Sequence, residues 1–324
     1  MLINNTEMKK TISREYILKR HEKNPVITAS DIPNADSVFN CGQTLFEGKI
    51  LLLVPVAYRT KINGLQSGIY VAISENGIDF TIEKEPFITT LNFAPYNTNY
   101  DWWTIDPRIT KIDDTYYIVR PGQHPQGPVA LLEKTRDFKT REFVDCIALP
   151  SNRVPCIFPE KINGKYVRLD RPYNMGAVNE DGSIWISYSP DLIHWGSHYP
   201  VQMPYGLHFG TKIGPTTPIK TTEGWLEIIH GVMTSCNGSR YSLTAILLDL
   251  EDPRKVIGRM NSWILTPDAD YELNGRVPNV VFTTGAIPDY ERNEIRVYYG
   301  AADTCIALAT GKLSELVDAC LQGL

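Results

Sequence analysis

The chain has 324 residues, of which 43% are hydrophobic and 21% are charged, and its formal net charge is −5. This length and apolar content can bury a large core, and no Pro/Gly/Ser-rich or low-complexity linker interrupts the sequence, so we expect one domain over residues 1–324. Charges of both signs are mixed along the chain, which argues against nucleic acid or an anionic membrane surface as the main partner. The sequence contains no run of 18 apolar residues, and we expect no transmembrane helix.

The first residues lack the basic and apolar regions of a signal peptide, so none is predicted. Six cysteines are present without CxxC spacing, and Cys41, Cys156 and Cys305 lie inside apolar runs. We therefore expect buried, reduced thiols in a cytoplasmic protein rather than a disulfide framework or a zinc site. His194 and His198 are four residues apart with no third ligand nearby, so no metal site is predicted.

The predicted elements are short helices at residues 13–23 and 313–321, with a repeating β-rich unit between them. In each unit an apolar strand-like run follows a turn and precedes a polar tag that ends in an aromatic or apolar residue. The runs cover residues 50–56, 116–120, 166–171, 225–232 and 295–300. The tags cover residues 74–80, 134–138 and 189–195, with looser copies at 249–253 and 311–316.

Turns rich in Asn, Asp and Gly precede most of these runs, which indicates hairpins. Five copies of roughly 60 residues each predict an all-β chain with five four-stranded blades, which is a five-bladed β-propeller. A large β-sandwich is the alternative all-β architecture, but it does not explain why the tags recur at similar intervals.

The segment 102–111 combines aromatic rings, a carboxylate and a cation. Trp102 and Trp103 precede Asp106, and Arg108 follows it. Aromatic rings cover the apolar face of a sugar, while charged groups bind its hydroxyls and move protons. This combination favours a sugar site. The alternative is a strand that starts with an exposed aspartate after two core tryptophans.

Motifs from about residue 24 onward resemble glycoside hydrolase family 130, the inverting β-mannoside phosphorylases. They fall one or two per blade, at residues 38–40, 106–111, 158–166, 171–172, 212–214, 224–232, 278–282 and 298–304. Each motif alone is weakly specific, but their order and number together are specific. The resemblance implies a five-bladed propeller, in agreement with the repeat count.

An inverting attack on a glycoside needs an acid that protonates the leaving oxygen and a nucleophile on the opposite face. Phosphate is already an anionic nucleophile, so a phosphorylase needs cations to bind it, and the planar fork of arginine suits phosphate oxygens best. The resemblance assigns the acid to Asp106, which acts through a hydroxyl of the mannose. It assigns phosphate binding to Arg153, Arg171, Lys212, His230 and Tyr241. It implies no cofactor, with inorganic phosphate as the co-substrate.

The resemblance also assigns the donor mannose to Asp303, with Asn40 lining the same pocket. Glu272 is a further sugar-binding candidate, and Trp102 and Trp103 are candidates to stack on the acceptor sugar, with core packing as the alternative for either tryptophan. Glu160 could instead pair with an arginine of the phosphate site and orient it.

The sequence departs from the family in two places. Pro55 stands where members of the family usually carry an arginine, and Arg59 is the candidate to replace it in sugar or phosphate contact. The loop 120–127, which should border the acceptor sugar, also differs from the commonest subgroup.

The predicted function is phosphate-dependent cleavage of a β-mannoside to α-mannose 1-phosphate. β-1,2-Mannobiose or β-1,2-manno-oligosaccharides are favoured as substrates over β-1,4-linked ones. The alternatives are an inverting β-mannosidase, in which carboxylates would replace some of the basic residues, and a non-catalytic sugar-binding propeller. The acceptor sugar, the direction of the reaction and the formation of a homo-oligomer are left open by the sequence.

Overall fold

The computed structural model describes residues 16–62, 65–90, 103–124, 126–172, 183–201, 211–236 and 238–323. The strands in these ranges form five antiparallel sheets that follow one another along the chain. They are the five blades of a propeller, which confirms the predicted all-β fold class.

Four blades are built from consecutive strands, and the fifth also includes the first strand of the chain. Blade 1 contains β2 (Ala35–Val38), β3 (Gly42–Phe46), β4 (Lys49–Ile62), β5 (Leu65–Ser74) and β6 (Thr81–Ile82). Blade 2 contains β7 (Arg108–Ile112), β8 (Thr115–His124), β9 (Gly127–Thr135) and β10 (Glu142–Ala148). Blade 3 contains β11 (Cys156–Ile157), β12 (Tyr166–Asp170), β13 (Trp185–Ser189) and β14 (Gly196–Pro200). Blade 4 contains β15 (Thr211–Gly214), β16 (Ile219–Lys220), β17 (Trp225–Ser235), β18 (Gly238–Leu248) and β19 (Val256–Arg259). Blade 5 contains β20 (Val281–Phe282), β21 (Ile287–Asp289), β22 (Glu294–Ala301) and β23 (Cys305–Lys312), together with β1 (Lys19–Arg20).

The predicted apolar runs lie in β4, β8, β12, β17 and β22, which are inner strands of their sheets. Both of their faces are buried, so most of their residues are apolar, although the run in β12 also buries Arg168 and Asp170. In β4, Leu52 and Val54 pack toward blade 5, whereas Leu51 and Leu53 pack toward blade 2. Equivalent clusters fill the other interfaces between neighbouring blades. Full burial of one such side chain contributes about 1.5–3 kcal/mol. The core is therefore a ring of five interfaces between blades.

The polar tags at residues 74–80, 134–138, 189–195 and 249–253 are turns that lead to the last strand of a blade, whereas the tag at 311–316 leads from β23 into the C-terminal helix. A hydroxyl that ends the third strand accepts a hydrogen bond from the backbone N–H three residues later, as Ser74 does from Gly77 and Thr135 does from Phe138. Ser189 accepts in the same way from Leu192. The recurring sequence pattern thus reflects a recurring turn geometry.

The two chain ends differ in how they match the predicted helices. The C-terminal helix is present as α2 (Leu313–Gln322), and a one-turn helix, α1 (Asp270–Leu273), lies in the last blade. The N-terminal prediction over residues 13–23 is wrong in the part that the structure describes, because residues 16–23 contain no helix. Lys19 pairs there with Thr310 and Arg20 with Ala309. The blade edge supplies strand partners for backbone groups that an isolated helix would satisfy internally, and blade 5 gains its outer strand.

The six cysteines are free thiols, and the buried ones include Cys41, Cys156 and Cys305, as expected. Among the described residues, no helix is long and apolar enough to cross a membrane.

Candidate active site

The first strands of the blades lie at their inner edges, since β7 contacts both β3 of blade 1 and β11 of blade 3. Three predicted site residues lie at or next to these strands. Asn40 lies between β2 and β3, Asp106 lies two residues before β7, and Arg153 lies three residues before β11. Separate blades therefore bring their side chains together near the centre of the propeller.

Four of the predicted site residues have left-handed backbone conformations. The φ angles are +41° at Asn40, +48° at Asp106, +55° at Lys212 and +49° at Asp303. Non-glycine residues adopt this region at a cost of about 1–3 kcal/mol each, and such residues cluster at functional sites. Asp106 also precedes a proline, which normally favours an extended backbone. The fold thus holds these four side chains in directions that local preference would not give.

Asp106 is fully buried and occupied at both carboxylate oxygens. Its Oδ1 accepts a hydrogen bond from Asn40 Nδ2 at 2.9 Å, and its Oδ2 accepts one from Arg153 Nη2 at 2.9 Å. Arg108 Nη1 donates to the backbone oxygen of Asp106 at 2.8 Å. Burial alone would raise the pKa of Asp106, but the charges of Arg153 and Arg108 and the two hydrogen bonds outweigh it, so the pKa is lowered. Asp106 is therefore ionised in this arrangement.

Arg171 contacts His230 and the backbone of Lys212 near the ion pair of Asp106 and Arg153. Arg171 Nη1 lies 3.1 Å from His230 Nε2 and donates to the backbone oxygen of Lys212 at 3.2 Å. Burial and then repulsion from Arg153 and Arg108 lower the pKa of Arg171 to about 9, so it still carries its charge near neutral pH.

His230 is neutral in this environment. Burial, followed by the charges of Arg171, Arg108 and Arg153, lowers the pKa of His230 well below its ordinary value. A guanidinium group can only donate, so Nε2 accepts from Arg171 and the ring proton lies on Nδ1. The ring packs against Phe282, with centroids 4.4 Å apart.

Tyr241 and Gly214 complete the surroundings of the imidazole. The Tyr241 ring stacks near His230 at a centroid distance of 6.3 Å. A side chain at Gly214 would overlap the imidazole ring. The glycine of the 212–214 motif is therefore required by the position of His230.

Positive charge exceeds negative charge in this cluster. Three guanidinium groups, those of Arg108, Arg153 and Arg171, lie around the ionised carboxylate of Asp106, and the next carboxylate is that of Asp303, so the guanidinium groups outnumber the carboxylates. Glu227 lies within electrostatic reach of Arg108, but burial raises the pKa of Glu227 well above its usual range and so favours its neutral form. The cluster therefore carries a net positive charge in a buried setting, which is costly unless an anion compensates it.

Several donors of the cluster are also unpaired. Within the part of the chain that the structure describes, Nε and Nη2 of Arg108, Nε of Arg171 and Nδ1 of His230 are buried and make no hydrogen bond. Buried polar groups are nearly always satisfied, and a group of unsatisfied donors in one place needs an explanation. A multivalent oxyanion supplies both the acceptors and the charge that these side chains require.

The backbones of Arg153 and Arg171 are fixed by a polar clamp made of Asn152, Asp170 and Arg168. Asn152 Oδ1 accepts from the Arg171 backbone N–H at 3.2 Å, and Asn152 Nδ2 donates to Asp170 Oδ1 at 2.9 Å. The Arg153 backbone N–H donates to Arg171 O at 3.3 Å. Arg168 in turn binds Asp170 at 2.8 Å. This clamp fixes the backbone from which Arg153 and Arg171 project.

Asp303 lies in the short loop between β22 and β23, on the other side of Asn40. Burial, and next the negative charge of Asp106, raise the pKa of Asp303 to about 6, although Arg153 and Arg276 act in the opposite direction and Asn40 hydrogen-bonds it. A side chain at Gly300 would overlap Asn40. The glycine of the 298–304 motif thus makes room for the amide that lies between the two aspartates.

The outer part of this region is formed by Trp103 and Arg276. The Arg276 guanidinium lies 5.3 Å from the centre of the Trp103 ring and donates to Ser37 Oγ at 3.2 Å. Trp103 also packs on Phe39 and Ile105, so it is partly a packing residue. Arg276 also acts electrostatically on Asp303 and favours its ionised form. The neighbouring prediction for Trp102 lies outside the described residues.

Two predicted residues do not join this cluster. Arg59 is exposed on β4, and its backbone N–H bonds Asn34 O. Glu160 forms an ion pair with Lys220 on the surface instead of orienting Arg153 or Arg171.

The predicted sugar-binding role of Glu272 is corrected, because its carboxylate makes structural hydrogen bonds within blade 5. Its oxygens accept from Arg20 at 2.8 and 2.7 Å, from Tyr299 Oη at 2.7 Å, and from the backbone N–H groups of Asp268 and Ala269. The group is buried and leaves little capacity to bind a sugar. The structure assigns Glu272 to anchoring β1, which carries Arg20, onto blade 5.

Sequence reasoning did not list Arg108, Arg276, Asn152 or Asp170 among the site residues. Arg108 was visible in the segment 102–111, where arginine follows aspartate by two positions. Arg276 contacts Ser37, which is 239 residues away in the sequence, whereas Asn152 and Asp170 are the chain neighbours of Arg153 and Arg171 and bind each other across 18 residues. No local pattern predicts such contacts.

Comparison with known proteins finds that the chain is similar to mannoside phosphorylases. The model of glycoside hydrolase family 130, described as beta-1,4-mannooligosaccharide phosphorylase, matches residues 7–322. The beta-1,4-mannooligosaccharide phosphorylase of Ruminococcus albus is 33% identical over 304 residues, which cover 93% of this chain and 90% of that protein. The beta-1,2-mannobiose phosphorylase of Listeria innocua is 34% identical over 355 residues, with 92% and 97% covered.

A solved structure agrees with the sequence comparisons. The beta-1,2-mannobiose phosphorylase from Listeria innocua, in complex with beta-1,2-mannobiose, superimposes with a TM-score of 0.82 at 32% identity and covers 94% of this chain and 99% of that chain. The motifs, the propeller and both kinds of comparison converge, and this chain belongs to glycoside hydrolase family 130.

Proposed function

We propose that the protein is an inverting β-mannoside phosphorylase, which transfers a mannosyl group from a β-linked manno-oligosaccharide to inorganic phosphate and forms α-mannose 1-phosphate. The observation that carries this proposal is the cluster of the buried residues Arg108, Arg171 and His230 with the partly exposed Arg153, which has a net positive charge and unpaired donors. Hydrogen phosphate carries two negative charges and several acceptor oxygens, which match both properties.

In this proposal phosphate is the nucleophile. An oxygen of hydrogen phosphate attacks the anomeric carbon from the face opposite the leaving sugar, the glycosidic bond breaks, and the configuration inverts. Phosphate needs no general base, so one acid suffices. Asp106 provides the proton through a mannose hydroxyl, and that hydroxyl passes its own proton to the leaving oxygen.

Asn40 and Asp303 hold the mannosyl group. Asn40 already donates to Asp106, so a sugar that binds here lies next to the acid. Asp303 is poorly solvated, and its carboxylate gains from hydrogen-bonding sugar hydroxyls. Trp103 and Arg276 border the same pocket and contact the sugar at its outer side.

Lys212 and Tyr241 are phosphate ligands in this proposal. Support comes from their places beside Arg171 and His230, respectively. Arg59 contributes sugar contact only if the β4–β5 hairpin closes over the substrate, since its side chain is exposed in this structure.

We propose β-1,2-linked mannobiose or manno-oligosaccharide as the preferred substrate, in a cytoplasmic enzyme of one domain. Relatives named for the β-1,2 linkage include proteins from Listeria innocua and Thermoanaerobacter, although the Ruminococcus albus relative is named for the β-1,4 linkage. The free thiols support a reducing compartment.

The test is incubation with β-1,2-mannobiose and with β-1,4-mannobiose, each with and without inorganic phosphate, followed by quantification of mannose 1-phosphate and mannose. We expect mannose 1-phosphate only with phosphate, and faster from the β-1,2 disaccharide. Equal release of free mannose in both conditions would support the inverting hydrolase instead. Binding without turnover would support the non-catalytic propeller.

A further inference from the structure

Both carboxylate oxygens of Asp106 are hydrogen-bonded to neighbouring side chains. Asn40 occupies Oδ1 and Arg153 occupies Oδ2, and the Asp106 side chain is 0% exposed. A general acid must come within hydrogen-bond distance of the group that it protonates. Because no part of the Asp106 side chain is accessible, a group that covers it must move before Asp106 can reach a sugar hydroxyl, and Asn40 and Arg153 are the side chains that contact its carboxylate oxygens.

Asn40 is the less movable partner. Its side chain is buried, and its backbone and amide pack directly against Gly300, where even a methyl group would overlap them. Arg153 is freer to move than Asn40, because its side chain is 40% exposed and its long aliphatic stem can pivot toward Arg171 and His230. Arg153 is therefore the partner whose movement can make Asp106 Oδ2 accessible.

The same side chain belongs to the cationic cluster. Arg153 acts electrostatically on Arg171 and on His230, and it also lies within reach of Tyr241 and Asp303. An oxyanion in the cluster offers the Arg153 guanidinium a pair of oxygens, and bidentate pairing with phosphate competes well against one contact to a carboxylate. Phosphate and Asp106 thus compete for one arginine.

We propose that phosphate binding draws Arg153 away from Asp106, which frees Oδ2 and lets Asp106 take up a proton only when the nucleophile is in place. This inference rests on the proposed phosphorylase function. It makes Arg153 a group that positions the acid as well as a phosphate ligand.

The charges around Asp106 support this order of events. Arg153, Arg108 and, at longer range, Arg171 favour its ionised form, whereas burial and the nearby Asp303 oppose it. Loss of the direct contact with Arg153, and neutralisation of the cluster by a dianion, leave burial as the dominant influence. The pKa of Asp106 then rises.

The protons balance over one turnover. Asp106 takes one proton from solvent when phosphate binds and delivers it, through the mannose hydroxyl, to the oxygen of the leaving sugar. Hydrogen phosphate loses its own proton to solvent as its oxygen bonds to the anomeric carbon. Asp106 ends ionised, and Arg153 can return to it.

The test is calorimetric titration of inorganic phosphate into the intact protein without sugar, so that no reaction occurs. Titrations are run at one pH, at which free phosphate is the dianion, in buffers that differ in ionisation enthalpy. The slope of observed heat against ionisation enthalpy counts the protons taken up. We expect about one proton per phosphate bound in the wild-type protein.

Two isosteric variants identify the carboxylate that takes up the proton. Asp106→Asn should still bind phosphate, with proton uptake reduced to less than half. Asp303→Asn, the matched control, removes a neighbouring carboxylate and should keep most of the uptake. A wild-type slope of zero with clear phosphate binding overturns the inference whatever the variants do, and so does uptake that survives in Asp106→Asn or disappears only in Asp303→Asn. Absence of phosphate binding would instead refute the proposed function itself.

Discussion

Replacement of Asp303 by asparagine should make the protein more stable and less active. The pKa of Asp303 is about 6 in the folded protein, against about 3.9 for an aspartate in an unfolded chain. Each unit of difference corresponds to about 1.36 kcal/mol, so an ionised Asp303 costs the folded state about 3 kcal/mol. Asparagine keeps the shape and removes the charge.

The sign follows from proton binding. Below about pH 4 the carboxyl group of Asp303 is protonated in both the folded and the unfolded protein and does not lower the free energy of unfolding. As the pH rises to 6, the unfolded chain ionises first, so the wild-type protein loses stability; above 6 the full cost is present. Asp303→Asn should therefore match the wild type at low pH and exceed it by up to about 3 kcal/mol above pH 6.

Urea unfolding of both proteins at a series of pH values measures this difference. The gap in the unfolding midpoint should open as the pH rises toward 6, while use of the mannosyl donor falls. A variant that is destabilised by the same amount at every pH would refute the reasoning, because Asp303 would then act as a structural hydrogen-bonding group and not as a strained charge.

Three further substitutions test other parts of the site. Asp106→Asn should lower kcat by about 10²–10⁴-fold while circular dichroism stays unchanged, since it removes the acid and keeps its shape; wild-type turnover would place the acid elsewhere. Arg171→Met should raise the KM for phosphate by about ten-fold or more, because a charge-assisted hydrogen bond is worth about 1.5–3 kcal/mol, with a smaller effect on the KM for disaccharide; an unchanged phosphate dependence would remove Arg171 from the phosphate site. Glu272→Ala should lower the free energy of unfolding by about 3–5 kcal/mol, because it leaves Arg20 and Tyr299 without their partner, yet the phosphate KM should stay within about two-fold; a selective loss of sugar affinity in a stable Glu272→Ala protein would restore Glu272 as a sugar ligand.

The blades could be predicted from sequence because their causes are local. The run 50–56 in β4 is apolar at every position since both of its faces are buried, and the tags at residues 74–80, 134–138 and 189–195 carry their own hydroxyl groups to close a turn. The predicted helix at residues 13–23 failed where it is described, because Lys19 and Arg20 pair with a strand almost 300 residues away along the chain. Long-range pairing overrides local helical preference.

The site was predictable in its residue types and much less so in its contacts. Family resemblance indicated Asp106, Arg153 and Arg171, but not that Arg153 closes one face of Asp106. Glu272 lies near motif residues in the sequence, and only the structure shows that Arg20 and Tyr299 occupy it. The left-handed backbone at Asp106 comes from the surrounding fold, since an aspartate before proline favours an extended conformation.

The most direct test of the central claim is cleavage of β-1,2-mannobiose in ¹⁸O-labelled water with unlabelled inorganic phosphate, followed by mass spectrometry of the products. If the cationic cluster delivers phosphate as the nucleophile, the product is mannose 1-phosphate that carries no ¹⁸O at the anomeric oxygen, and no cleavage occurs when phosphate is omitted. Free mannose labelled with ¹⁸O at the anomeric carbon, formed at the same rate with or without phosphate, would contradict the account.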